Sequence, residues 1–233
     1  MTAASTIRLL VQVINLVTRP DRLDRMRSQL EIAGLSFETL VGVDGKKAGF
    51  ESKYLSAGEI GCFKSHVNAM RRQKEFGAAY SLILEDDAVL SSAVNEKFLS
   101  EMIDLMERNK LDMLQIGFID HFYSFSLRSG ILEAVISLLN GRGKKDASGA
   151  RFVLGEFRSG AHAYLVSNRL AEGISSVISE PPLLPWDDWL GLMAKAQTHR
   201  NIRIARLVKS VVSQASRSSL NSKIDSDIEG PGS

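Results

Sequence analysis

The sequence predicts an α/β domain of Rossmann type, with a mostly parallel central sheet flanked by helices. Three observations carry that reading. The β-branched, apolar run Leu9-Leu-Val-Gln-Val-Ile-Asn-Leu16 is followed by a helical pattern and then a second strand-like run. Such a strand–helix–strand unit folds with parallel strands and a right-handed crossover. A further apolar run, Tyr80-Ser-Leu-Ile-Leu84, climbs directly into Glu85-Asp86-Asp87, as a buried strand does where it reaches a sheet edge. Finally, 233 residues with 44% hydrophobic and 24% charged side chains suffice for one core of ordinary size.

In the first unit, Pro20 or Asp21 opens a helix through Asp24–Ala33, and Gly34 closes it. Leu35–Val43 alternates as a second strand and ends at the turn signal Asp44-Gly45. Ser56-Ala-Gly-Glu59 is a capping-box pattern, and the helix it opens runs over Ile60–Phe76 to Gly77. Gly61, early in that helix, costs about 1 kcal/mol relative to Ala. It makes sense where another backbone or a ligand packs closely. After the acidic strand, Asn95–Lys110 reads as an amphipathic helix with Phe98, Met102, Leu105 and Met106 on its buried stripe. Leu111–Gly117 reads as a core strand. The pattern loosens from His121 to Arg151, where Ile131–Leu139 reads as a short helix. Asn140–Gly149 reads as a flexible, Gly-rich loop of the kind used as a lid. Phe152-Val-Leu154 and Ala161–Val166 resume strand character, and Ser167-Asn168 cap a helix to about Ile178. Residues 221–233 carry the composition of a disordered tail.

Composition narrows the function classes. A single cysteine, Cys62, excludes a disulfide framework and fits a reducing compartment. No run reaches the ~18–20 apolar residues of a membrane span, and the first residues lack the features of a signal peptide. From Lys195 to Arg217 every charged side chain is basic: Lys195, Arg200, Arg203, Arg206, Lys209 and Arg217, with His199 among them. Such a run is either a solvated face or a surface for an anionic partner, whether phospholipid, phosphorylated glycan or diphosphate. Nucleic acid is not expected, because no recognition motif and no aromatic interleaving accompany the charge.

In open α/β sheets, ligands bind beyond the carboxyl ends of the strands. That rule brings Asn15 to Arg22, Asp44-Gly45 and Glu85–Asp87 together. On a strand Glu85 and Asp87 would share a face, a pair of oxygen ligands suited to Mg²⁺ or Mn²⁺, with the metal in turn holding a phosphate. The alternative is a strand end that turns into solvent. Arg19, Arg22 and Arg25 suit phosphate, or else Arg22 and Arg25 are solvated helix residues paired with Asp21 or Asp24. Glu59, Cys62 or Phe63, and His66 fall on one helix face. His66 is then either a hydrogen-bonded core residue or, with Ser65, part of a cleft lining. Glu180-Pro-Pro-Leu-Leu-Pro-Trp186-Asp187-Asp188-Trp189 joins aromatic faces that stack on sugars to carboxylates that accept a hydroxyl proton. It reads equally as a helix N-terminus with both acids in the first turn.

Several blocks coincide, in order, with one family. They are Val13-Ile-Asn-Leu16 with Arg19-Pro-Asp-Arg22, Val43-Asp-Gly45, Leu55–Cys62 with Ser65-His66, and Leu84-Glu-Asp-Asp87. Gly160–Ser167, Pro185-Trp-Asp187 and Val212-Ser-Gln-Ala-Ser216 follow. On these blocks the chain resembles glycosyltransferase family 25, the lipopolysaccharide-biosynthesis transferases related to bacterial β-galactosyltransferases and collagen galactosyltransferases. The resemblance implies a single GT-A-like domain over residues 1–220. It implies a nucleotide-sugar donor, most often UDP-galactose, and a Mn²⁺ or Mg²⁺ ion at Glu85 and Asp87. Asn15, Arg19, Arg22, Asp44, Asp86 and His66 would then surround the donor. It also implies inversion at the anomeric carbon, with Asp187 as the base, or Asp188 in its place. The expected acceptor is a lipooligosaccharide or lipopolysaccharide at the cytoplasmic face of the membrane, which residues 195–217 would contact. The rival reading is a non-catalytic nucleotide-sugar or glycan-binding module descended from a transferase. A nucleotidyltransferase would want a Gly-rich phosphate loop after the first strand, which is missing. Two departures stand out: residues 118–158 align with no family block, which makes them the expected acceptor insertion, and Asn68-Ala-Met70 replaces the bulky aromatic usual after the Ser-His pair.

Overall fold

The computed structural model describes residues 8–119, 143–177, 183–196 and 201–215. Helix 131–139, the tail 221–233 and His199, Arg200 and Arg217 lie outside the described residues. The first unit forms as its sequence dictates. β1 (Leu9–Asn15) leads to α1 (Pro20–Ile32), which starts on a proline and ends before Gly34, held at φ 69°. β2 (Glu38–Val41) returns parallel to β1, with Asn15 beside Val41. α2 (Ala57–Phe76) opens with the full capping box of Ser56 and Glu59 and stops at left-handed Gly77. β3 (Tyr80–Glu85) pairs parallel with the other side of β1, with Ile14 beside Glu85. All three strands therefore end at one edge.

Beyond β3 the sheet is mixed. β4 (Ala88–Leu90), α3 (Glu96–Asn109) and β5 (Met113–Gly117) are followed by the hairpin of β6 (Lys144–Lys145) and β7 (Arg151–Leu154). Part of the expected flexible loop is thus an edge strand. Asp146 closes its tip by accepting from Ser148 and from Asn109 at the end of α3. β8 (Ala163–Ser167) inserts antiparallel between β3 and β5. α4 (Asn168–Val177) and α5 (Trp186–Ala196) precede β9 (Ile204–Leu207) and β10 (Val212–Gln214). The sheet runs β2-β1-β3-β8-β5-β9-β7-β6, with β10 joining β4 to β5. The parallel expectation holds for the half that carries the site.

Strand alternation divides the core. Val11, Val13, Leu82 and Leu84 face α1 and α3, meeting Met26, Leu30, Leu99 and Met106. Ile83, Tyr164 and Val166 face α2, α4 and α5, meeting Phe63, Met70, Leu170 and Leu190. Each large apolar side chain buried this way contributes roughly 1.5–3 kcal/mol. Within the basic run, two of the described side chains are engaged by the protein itself. Arg206 is buried and pairs with Glu156 at 2.6 Å, while Arg203 donates to the Asn109 carbonyl. Of the other described basic residues in this run, Lys195 and Lys209 are exposed.

Candidate active site

At the shared edge of β1, β2 and β3 a cleft of about 300 Å³ opens. Glu85, Asp86 and Asp87 all line it, with Arg22, Asp44 and His66. β3 ends at Glu85, and Asp86 and Asp87 form the turn into β4. The alternation expected to put Glu85 and Asp87 on one face therefore stops one residue too early. Each acid is met from a different direction instead.

Glu85 faces α2, where His66 Nε2 lies 3.0 Å from Oε1 and Cys62 Sγ 4.0 Å. Burial raises its pKa, but the His66 hydrogen bond and the nearby His66, His162 and Arg22 charges outweigh that and leave it lowered. Asp86 faces α1: Arg22 Nη1 donates to Oδ1 at 3.2 Å and Asn15 Nδ2 to Oδ2 at 2.7 Å. Burial still raises its pKa on balance. Asp87 faces β10. Gln214 Nε2 donates to Oδ2 at 2.8 Å, and the Ala215 amide donates to the Asp87 carbonyl at 2.8 Å. Asp87 Oδ1 is buried with no hydrogen-bond partner among the described residues. Burial, then the charge of Glu85, push this carboxyl up to about 7.

A buried carboxylate oxygen without a donor is costly. A divalent cation there would satisfy the oxygen and reverse the repulsion that raises the pKa. The acidic turn thus fits a hard metal, with Asp87 offering the uncommitted oxygen and Glu85 one shared with His66.

The other anticipated residues divide. Asp44 sits half-buried in the lining, and its Oδ1 accepts the Lys47 amide to close the turn. Asn15 lies beneath the cleft and braces Asp86. Arg19 occupies the N-cap of α1 with its guanidinium on Asp21 at 3.0 Å, outside the lining. Arg22, one turn on, supplies the cleft's guanidinium. His66 satisfies both of its readings: it is 1% exposed, stacked on Trp186 at 5.2 Å and bonded to Tyr164 Oη at 2.9 Å, yet it lines the cleft. Trp186 is buried between His66 and Trp189, so it is a core support and not a sugar platform. Asp187 and Asp188 occupy the first turn of α5 and lie outside the lining. Asp187 accepts the Gly160 and Asp188 amides at 3.0 Å each and lies near enough to Cys62 to help raise its thiol pKa, after burial and Glu85. Asp188 is exposed, its pKa raised by partial burial and then by Asp187 and Glu59.

Local glycines set the width. A Cβ on Gly61 would lie 2.4 Å from the Val43 carbonyl and 2.8 Å from the Gly45 amide, and one on Gly45 1.7 Å from the Ala57 carbonyl. Ser65 stitches the same contact, donating to the Gly61 carbonyl and accepting the Val43 amide. Gln214 has no periodic signature. Its one signal in the sequence was its place in the Val212–Ser216 block.

A profile described as "Glycosyltransferase family 25 (LPS biosynthesis protein)" matches residues 10–190. The Xenopus laevis protein named procollagen galactosyltransferase 1-A is 26% identical over 202 residues, covering 78% of this chain and 30% of the relative. The Homo sapiens protein named inactive glycosyltransferase 25 family member 3 is 31% identical over 127 residues, covering 46% of this chain and 21% of the relative. This chain thus spans less than a third of each of these curated relatives. A solved glycosyltransferase described as involved in glycosylation of the major capsid of PBCV-1 aligns over 93% of this chain and 96% of its own, at 11% identity and a TM-score of 0.47.

Proposed function

Since this chain belongs to glycosyltransferase family 25, we propose that it is an inverting, metal-dependent hexosyltransferase. Its donor is UDP-galactose and its acceptor a lipooligosaccharide or related surface glycan at the inner membrane face. The observation that carries the reading is Asp87: a buried, cleft-lining carboxylate with an unsatisfied oxygen and a pKa pushed up to about 7. Among the described residues no hydrogen bond or ion pair uses that oxygen, and a hard cation would.

Asp87 and Glu85 would hold the cation, Mn²⁺ or Mg²⁺, which when bound would supply charge stabilisation for a leaving diphosphate. The chain's own residues do the rest. Arg22 is held in place by Asp86 and faces the cleft, where its guanidinium suits a donor phosphate. Asp44 and the turn around it bind the nucleoside end. His66, fixed by Tyr164 and Trp186, keeps the Glu85 carboxylate in one orientation. Inversion needs one base on the face opposite the leaving group. Asp187 takes that role, removing the acceptor hydroxyl proton at one carboxylate oxygen. The Gly160 and Asp188 amides, each donating to it at 3.0 Å, fix that carboxylate in place.

The test is a panel of UDP-sugars against truncated lipooligosaccharide acceptors, with Mn²⁺ or with chelator, read by product mass. Transfer of one hexose only with metal, lost in Asp87→Ala, is expected. Metal-independent transfer, or undiminished turnover in Asp87→Ala, overturns the metal role. The human relative named inactive favours a second reading, a binding module without turnover. Stabilisation by UDP with Mn²⁺ but no transfer to any acceptor would favour it.

A further inference from the structure

Glu85 faces a second set of ligand atoms on α2, whereas Asp87 is met by Gln214 of β10. Cys62 and His66 lie four residues apart on α2 and so share one face. Cys62 Sγ, His66 Nε2 and a Glu85 carboxylate oxygen lie within 4.8 Å of one another. All three residues line the cleft, so an ion has a path to them. Zinc–ligand bonds of about 2.0–2.3 Å set tetrahedral donors roughly 3.5 Å apart. The cluster therefore needs to contract by about an ångström, within the reach of side-chain rotation.

The donor types are telling. Thiolate and imidazole with one carboxylate select a borderline-soft cation, whereas Mg²⁺ and Mn²⁺ prefer oxygen throughout. His66 is already oriented as a ligand. Its Nδ1 is engaged by Tyr164 Oη at 2.9 Å, which turns Nε2 toward Glu85. Metal-bound imidazoles are commonly held by just such an outer partner. At 3.0 Å, His66 Nε2 and Glu85 Oε1 need a proton between them, since two lone pairs would repel. A cation can take that proton's place.

We propose that Cys62, His66 and Glu85 form a second metal site, for Zn²⁺ or a cation like it, with solvent at the fourth position. Binding releases the Cys62 thiol proton and the proton shared by His66 and Glu85 to solvent. The site competes with the hard cation for Glu85, so Zn²⁺ inhibits the enzyme. That competition, unlike the site itself, rests on the reading of the acidic turn given above.

The experiment is an optical titration of the metal-free full chain with Co²⁺. Cys62 is the single cysteine, so a thiolate-to-cobalt charge-transfer band reports on it alone. The expected band saturates at one equivalent, is displaced by Zn²⁺, disappears in Cys62→Ser, and weakens on the order of 100-fold or more in His66→Ala. It persists in Asp87→Asn. Circular dichroism of each variant checks its fold, and Cys62→Ser stands in should His66→Ala fail to fold. Absence of the band in the wild-type chain, or an unchanged affinity in folded His66→Ala, overturns the site. In a second arm, Zn²⁺ lowers Mn²⁺-supported transfer in the wild type and does so at least tenfold less readily in Cys62→Ser. A cobalt band without Zn²⁺ inhibition overturns the competition. Failure of all Mn²⁺-supported transfer counts against the transferase reading and leaves the cobalt result to decide the site.

Discussion

Gln214 Nε2 donates to Asp87 Oδ2 at 2.8 Å, across 127 positions of sequence. A residue of the last described strand thus holds the acid on which the metal reading turns. Of the influences on Asp87, this hydrogen bond opposes burial and Glu85 by favouring the ionised form. Gln214→Leu should raise the Asp87 pKa beyond about 7. A hydrogen bond to a charged group contributes ~1.5–3 kcal/mol, so Mn²⁺ binding should weaken roughly tenfold or more. Calorimetric titration at pH 7 would show it, and unchanged affinity would remove Gln214 from the site.

The raised pKa of Asp87 has a signature in stability. Its folded value of about 7 lies above the ordinary 3.8, so between those values the folded chain binds more protons than the unfolded one. Metal-free stability from this group therefore falls as pH rises from about 3.8 to about 7. Asp87→Asn should be more stable than the wild type at pH 8 with chelator, and the gap should close near pH 4. Saturating Mn²⁺ should reverse the order. Urea midpoints at the two pH values decide it.

Arg22 and Asp86 form a buried pair, with side chains only 6% and 9% exposed. Removing one partner of such a pair costs about 3–5 kcal/mol. Arg22→Met should lose stability on that scale, and adding Asp86→Asn should recover part of it. Simple additivity of the two substitutions would show that the residues are not coupled.

Gly61→Ala sets two effects against each other. Helix propensity favours Ala by about 1 kcal/mol. The new methyl, however, meets two backbone atoms closer than 3 Å, an overpacking that costs roughly 1–3 kcal/mol. Backbone atoms cannot swing aside, so a net loss in chemical denaturation is expected.

For catalysis, Asp187→Asn should lower kcat by about 10²–10⁴-fold, the usual contribution of a general base, with the donor KM unchanged. Asp188→Asn, on the exposed side of the turn, should fall by much less. The opposite ranking in steady-state kinetics would move the base by one residue.

The fold was legible where local signals are strong. Proline and glycine bounded α1, the capping box opened α2, and alternation placed Leu82 and Leu84 on one face and Ile83 on the other. The site was legible as a set of strand ends, because parallel topology brings those ends together whatever the side chains do. Its internal wiring was not. Alternation holds only while the strand lasts, and β3 stops at Glu85. Arg19 and Arg22 look alike in sequence, but only the second is turned inward by one helical turn. The burial of Arg206 and Trp186 depended on partners distant in sequence, Glu156 and His66, which no local pattern names.

The contact of Gly61 with Val43 and Gly45 has a mechanical consequence. Here α2 and the loop after β2 touch backbone to backbone, with Ser65 bonded to both. That contact locks the two together, and Cys62 and His66 lie on the same helix. The facing wall, Thr18 to Arg22, is tied by the Arg19 amide to the Leu16 carbonyl, by Asn15 to the Arg19 carbonyl and by the buried Arg22–Asp86 pair. A side chain larger than glycine at position 61 or 45 would therefore have to push the Cys62–His66 wall away from the loop after β2, which reshapes the cleft from that side.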